Sequence, residues 1–318
     1  AYVFDGAAGW AEVAKLTAAD GAGGDWFGWK VAISGDLALV GALNDDDDGE
    51  NSGSAYVFDG AAGWTEVAKL TASDGAAGDI FGHSVAISGA LALVGAPRDS
   101  DHGAESGSAY VFDGGAGWNE VAKLTPSDGA AGDWFGVSLA ISGDVALVGA
   151  LQDDDAGNDS GSAYVFDAGA GWNEVGKLTA PDGAAGDGFG SRVAISGDLA
   201  LVGAYEDDDN GVDSGSAYVF ELVPAENPTG PLVELLNELS DGAFKAAGHR
   251  NAMLSILADV EAAVAAGDVD EAIRKLENLR RRVDGCGAEA DNNDWIVDCA
   301  AQVQVRDLID ARIASLGG

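Results

Sequence analysis

The tetrapeptide Ala-Tyr-Val-Phe returns every 54 residues, at Ala1, Ala55, Ala109, Ala163 and Ala217, and the segments between are near-identical copies of one unit. A fixed period of this length commits a chain to a repeat architecture, in which each unit buries its apolar face against its neighbour. The unit reads as four short β segments. In the first full copy these are residues 31–34, 37–40, 55–58 and 64–70, separated by Gly and Asp turns and by an acidic loop at 44–54. Four antiparallel strands per unit is the plan of a propeller blade. The rival is a β-solenoid, whose coils are usually shorter than this period. Phe27, Phe81, Phe135 and Phe189 each open a blade. The first residues supply only the third and fourth strands of a blade, and the last copy supplies only its first three. Residues 10–16 can complete that last blade and close a four-bladed ring, but residues 1–5 are then redundant. The expectation is therefore an array that continues upstream or is shared between chains, with open strand edges available for self-association.

Acids outnumber bases 54 to 16, a formal charge of −38, and residues 1–223 hold 37 of the acids but only 7 Lys or Arg. Such a chain has no basic footprint for nucleic acid. Acids at fixed repeat positions recruit cations, although acid spread over a lysine-poor surface also marks salt-adapted proteins. No apolar run approaches the roughly 20 residues of a membrane span. The chain begins inside a strand, which reads as a mature or trimmed product.

The period changes after Pro224. Residues 224–231 read as a linker marked by Pro224, Pro228 and Pro231. In 232–318, Leu232, Leu235, Leu236 and Leu239 follow helical spacing, as do Met253, Ile256, Leu257 and Val260, and then Ile273, Leu276, Leu279 and Val283. Asp268 with Glu271 resembles a capping box for the third helix. Asn292 or Asn293 is expected to cap a last helix holding Trp295 and Ile296. The fold class is thus mainly β repeat, with propeller-like four-stranded blades over 1–223, followed by a small helical bundle. Cys286 and Cys299 are expected to form one disulfide across the last two helices.

The acidic loop carries the strongest chemical signal. Its first column is Asp45, Asp99, Asp153 and Asp207; its second is Asp47, Asp101, Asp155 and Asp209; its third is Asn51, Glu105, Asp159 and Asp213. Gly49, Gly103, Gly157 and Gly211 lie between. Oxygen donors at alternate positions around a glycine bend can wrap a hard cation of calcium size. The alternative is a solvated turn whose Asp side chains make local hydrogen bonds. Asp20 with Asp25, and its equivalents in each copy, reads as a structural turn.

Catalytic patterns are poor. His83, His102 and His249 are the three histidines, none recurs between copies, and no zinc-protease, nucleophile-elbow or Cys-x-x-Cys motif is present. The columns that differ between copies bear on recognition instead. They hold Trp26, Ile80, Trp134 and Gly188; Trp29, His83, Val137 and Ser191; and Leu43, Pro97, Leu151 and Tyr205. All flank loops, where a rigid scaffold carries its binding specificity. Trp26, Trp29, Ile80, His83, Trp134 and Tyr205 are the recognition candidates, with drift at exposed sites as the alternative.

Phe-Gly, then Val-Gly-Ala-Pro at Val94 to Pro97, then an Asp-rich loop and Gly-Ser-Ala-Tyr-Val-Phe resemble the FG-GAP repeat of integrin-α-type propellers. The resemblance spans all four copies. It implies a calcium ion in the loop between the second and third strands of each blade, an extracellular setting and a role in adhesion. The loop here is shorter than the family pattern, and the proline of the motif survives only at Pro97. The tail from Leu232 to Leu316 is similar, through Gly248 to Leu254, Ala262 to Gly267, and Ala272 and Ile273, to the small helical FIMAH domain of secreted bacterial proteins. Together these imply a non-catalytic, calcium-binding adhesion protein with an extracellular protein or glycan as ligand. The alternatives are a self-assembling surface protein and the accessory repeats of a secreted hydrolase.

Overall fold

The structure is a computed structural model that describes residues 1–7, 9–222, 230–240, 243–246, 248–265, 269–283, 295–296 and 299–315. The chain divides into two compact units, Ala1–Leu222 and Val223–Gly318.

The first unit is a row of antiparallel sheets. A hairpin of β1 (Tyr2–Asp5) and β2 (Ala11–Lys15) comes first. Three four-stranded meanders follow: β3 (Val31–Ser34), β4 (Leu37–Ala42), β5 (Ser54–Asp59), β6 (Thr65–Leu70); β7 (Ser84–Ser88), β8 (Leu91–Ala96), β9 (Ser108–Asp113), β10 (Asn119–Leu124); and β11 (Phe135–Ser142), β12 (Val145–Ala150), β13 (Ser162–Asp167), β14 (Asn173–Leu178). A three-stranded sheet of β15 (Phe189–Ser196), β16 (Leu199–Ala204) and β17 (Ser216–Glu221) ends the row.

The core lies between successive sheets. Leu39 and Val57 of the first meander pack with Phe81, Val94, Tyr110 and Phe112 of the next repeat. Phe81 is edge-on to Tyr110 and Phe112, at 5.5 and 6.0 Å between ring centroids, the geometry favoured by the aromatic quadrupole. Burial is set by the neighbour rather than by the strand. The first five residues of β5 are all buried, whereas β17, with the same Ser-Ala-Tyr-Val-Phe sequence, alternates between half-buried and exposed. Leu199, Leu201 and Val219 on the last sheet are exposed, and so are Val31 and Ile33 on the first meander, which share an open cleft with Tyr2, Val3 and Phe4 of the hairpin, so an apolar face is uncovered at each of these sheets.

Two glycines explain the Phe-Gly and Gly-Ala signatures. A side chain at Gly41 would put its Cβ 2.1 Å from the Gly82 carbonyl oxygen, and Gly82 itself adopts φ +84°. One glycine allows the neighbouring backbone to approach, and the other takes a left-handed conformation without steric cost.

In the second unit, α1 (Gly230–Glu238), α2 (His249–Ala265), α3 (Val269–Arg280) and α4 (Cys299–Ser315) surround Leu232, Leu236, Met253, Leu257, Leu276 and Val305. The last helix starts at Cys299, later than the sequence predicts. Trp295 and Ile296 precede it: Ile296 bridges Phe244, and Trp295 stacks on His249 at 4.9 Å. Their backbone hydrogen bonds go to other segments, since Lys245 N–H donates to the Trp295 carbonyl, which removes them from a helical ladder. Residues 223–229, most of the expected linker, lie outside the described residues. So do Cys286, Asp268, Asn292 and Asn293, and with them the expected disulfide and caps.

Candidate functional site

Two features of the repeat unit gather chemically active side chains. One is the acidic loop between the second and third strands of each sheet. Asp45 is buried beneath its own loop, where Oδ1 accepts from Asp47 N–H at 3.2 Å and from Ser54 Oγ at 3.1 Å. The Tyr56 hydroxyl lies 2.8 Å from Asp45 Oδ2 and 2.9 Å from Asp20 Oδ1. Lys69, on β6, reaches over the Tyr56 ring and donates from Nζ to Asp20 Oδ2 at 2.7 Å, to Asp45 Oδ2 at 3.2 Å and to Asp47. The ammonium thus occupies the centre of three carboxylates and a phenol.

The same group recurs. Lys123 donates to Asp74 at 2.6 Å, to Asp99 at 3.1 Å and to Asp101. Lys177 donates to Asp128 at 2.7 Å, to Asp153 at 3.1 Å and to Asp155. In these two groups the carboxylate oxygens come within 4.8 Å of one another, a spacing that can hold a metal ion. In both, the lysine stands among them.

The electrostatics follow the geometry. Lys69 holds the Asp20 carboxyl below its ordinary range. Burial opposes the charge on Lys69, but its hydrogen bonds to Asp20 and Asp47 outweigh it and raise its pKa above the usual lysine range. Tyr56, Tyr110 and Tyr164 are raised by burial and then by their aspartate partners.

The fourth repeat differs. Tyr218 OH lies 2.6 Å from Asp207 Oδ2 and 2.9 Å from Asp182 Oδ1, as in the sister copies. One period beyond Lys177 stands Pro231, in α1. No lysine joins this group among the described residues. Its carboxylates repel instead: Asp207 and then Asp182 push the Asp209 carboxyl up.

Of the sequence-predicted loop residues, the first two columns meet at these groups. The third column does not join Asp99 and Asp101 or Asp153 and Asp155. Asn51, Glu105, Asp159 and Asp213 instead take φ of +56, +55, +55 and +53°. Asn51 N–H donates to Asp46 Oδ1 at 2.7 Å, and Asp213 N–H to Asp208 Oδ1 at 2.7 Å. The column is a left-handed turn position, where Asn and Asp are the residues other than Gly that adopt it most readily. The Lys and Tyr columns were missed in the sequence. The signal for the first was there: Lys15, Lys69, Lys123 and Lys177 recur strictly in a region with only seven bases.

The second feature is a pair of adjoining clefts. One, of about 390 Å³, is lined by Trp26, Trp29, Ile80, His83, Arg98 and Trp134. The other, of about 400 Å³, shares His83 and adds Ser191, Arg192 and Tyr205. All six recognition candidates therefore line these clefts. Trp26 and Trp29 stack at 5.5 Å, and Trp29 lies 6.1 Å from His83. Arg98 sits over the Trp134 ring at 5.4 Å, while Glu105 accepts from Trp134 Nε1 at 3.1 Å. Trp26 and Tyr205 remain more than half exposed.

The backbone beneath one column is strained. Trp26, Ile80 and Trp134 have φ of +57, +52 and +56°, and the fourth copy has Gly188 at +61°. A bulky or β-branched residue there costs about 1–2 kcal/mol that glycine avoids. Three copies keep large side chains against that cost, and all three line the cleft.

A family model described as the FG-GAP repeat matches residues 10–58, 64–112, 118–166 and 172–220. The helical unit lies beyond these matches. No curated protein matches the chain.

Proposed function

The chain belongs to the FG-GAP repeat family, and we propose that it is a non-catalytic, adhesion-type recognition module of the extracellular space or cell surface, whose ligand seats in the aromatic clefts. The observation that carries this reading is the convergence of six copy-variable residues, Trp26, Trp29, Ile80, His83, Trp134 and Tyr205, on adjoining clefts. The residues that hold the sheets together are nearly the same in every copy, whereas those lining the clefts differ. Family membership supports an interaction role, and no helix among the described residues is long and apolar enough to cross a membrane.

Calcium enters this reading at the fourth repeat. The ammonium groups of Lys69, Lys123 and Lys177 stand where a cation would and supply its charge. Asp182, Asp207 and Asp209 offer oxygen donors that suit a hard cation, and no lysine meets them among the described residues.

Binding of the full chain to cell surfaces or extracellular matrix tests the recognition role. The Trp29→Ala, Trp134→Ala double variant should lose binding with its circular dichroism and melting unchanged. Undiminished binding by that variant rules the clefts out.

The uncovered faces at Val31 and Ile33 and at Leu199, Leu201 and Val219 favour a second reading, end-to-end packing on a further repeat of this or another copy. Light scattering on Val219→Glu tests it: a drop in mass relative to the unaltered chain is expected, and identical masses exclude it.

A further inference from the structure

The seven bases of the repeats fall into two sets. Lys15, Lys69, Lys123 and Lys177 form the recurrent column already described. The other three are Lys30 and Arg192, which share one column of the period with Ser84 and Ser138, and Arg98, at another position. All three bear on one side chain. His83 is held neutral, its pKa pushed down to about 4 first by burial and then by Lys30, Arg192 and Arg98.

Geometry gives the same picture. Arg98 lines one cleft and Arg192 the other, with His83 shared between them. Lys30 follows Trp29, whose ring lies 6.1 Å from that of His83. Arg98 has a carboxylate partner, Glu105, at 3.6 Å. Neither Lys30 nor Arg192 pairs with a carboxylate among the described residues. Among the described residues the Arg192 guanidinium donates only to the Ser191 carbonyl beside it. The buried Nδ1 of His83 has no hydrogen-bond partner, an unusual state for a buried polar atom.

We propose that the joined clefts around His83 bind an acidic saccharide, a sugar chain bearing carboxylate or sulfate groups. This rests on the recognition reading above and gives the ligand its chemistry. Arg192, without a carboxylate partner among the described residues, and Arg98 line the two clefts and complement the anionic groups. The stacked Trp26 and Trp29 and the Trp134 ring present electron-rich aromatic faces, on which the polarised C–H face of a pyranose ring packs. The hydroxyls of Ser191 and Tyr205, which line the second cleft, supply hydrogen bonds for sugar hydroxyls. An acidic peptide meets the same charges, but it lacks a flat ring to place on three tryptophans.

The test is binding of the full chain to paired oligosaccharides, with chelator present so that no metal bridges the acids. The pairs are uronic-acid, sulfated and sialylated chains against their esterified, desulfated or asialo counterparts, with polyglutamate as the peptide control. At least one acidic member should bind about tenfold more tightly than its neutral counterpart. Arg192→Gln and Arg98→Gln should each erase much of that preference and flatten its dependence on salt. Trp29→Ala should weaken the acidic and neutral members alike. Equal binding within every pair, no saccharide binding at all, or a preference for polyglutamate would each overturn the proposal. Cell or matrix binding that survives those outcomes, and is still lost in the Trp29→Ala, Trp134→Ala variant, would leave the recognition reading standing.

Discussion

Lys69 Nζ and Asp20 Oδ2 lie 2.7 Å apart although 49 residues separate them in the chain. The contact joins the last strand of one repeat to the connector that precedes the same repeat's first strand. With Asp45 and Asp47 it places one cation inside three carboxylates, and the arrangement recurs at Lys123 and Lys177. The acid of the loops is therefore offset from within the fold.

Removal of one such cation should be costly and should create a demand for another. Lys123→Met leaves Asp74, Asp99 and Asp101 mutually repelling around a buried Asp99. A loss of about 2–4 kcal/mol is expected, at or below the range for a fully buried broken pair because two of the carboxylates are exposed. Calcium should recover most of it, since the emptied carboxylate group now resembles a cation site. Thermal melts of the variant with calcium and with chelator check both halves.

The sheets, the period and the acidic columns were legible in the sequence because they depend on neighbours a few residues apart. The lysine column is visible as a strict recurrence, but its place among the carboxylates is not, because it reaches its loop from 24 residues away and its connector from 49. Asn51, Glu105, Asp159 and Asp213 were read as ligands on spacing alone, but their shared property is a positive φ. Asp20 was read with Asp25 as a turn. Asp25 does close that turn, accepting from Ala22 N–H at 2.5 Å, whereas Asp20 faces Tyr56 and Lys69. The start of the last helix was misread because Trp295 and Ile296 fit a helical stripe, yet find their partners in His249 and Phe244. The cleft residues are legible in the sequence as the columns that differ between copies.

Stability should fall as pH rises above about 10. Lys69 and the tyrosines at 56, 110 and 164 have folded-state pKa values above their ordinary 10.5 and 10.0. The native state then holds more protons than the unfolded one in that range. Their contribution is full below pH 10 and is lost as pH climbs toward the folded values. In a spectrophotometric titration, these three tyrosines should ionise only as the fold is lost, seen as coincident tyrosinate absorbance and circular dichroism changes.

Trp26→Gly separates binding from stability. Trp26 is 56 % exposed and sits at φ +57°, so the change removes strain and little packing. The melting temperature should stay within a few degrees of the unaltered chain or rise, whereas ligand binding should drop. A variant that melts much earlier would place Trp26 among the residues that hold the fold.

Gly95→Ala should destabilise the row of sheets. Its Cβ would fall 2.2 Å from the Gly136 carbonyl oxygen, on the backbone of the next repeat, which cannot swing aside. A cost of about 3 kcal/mol or more is expected, read by denaturant unfolding. Gly132→Ala is the contrast: nothing lies within 4 Å of its Cβ, so its penalty comes from φ +97° alone.

Calorimetric titration of calcium into the intact chain tests most directly whether the repeats carry their own cations. One binding event is expected, at Asp182, Asp207 and Asp209, abolished by Asp207→Ala and Asp209→Ala, with a further event gained on Lys123→Met. Four events of similar affinity in the unaltered chain would contradict the lysine-centred reading.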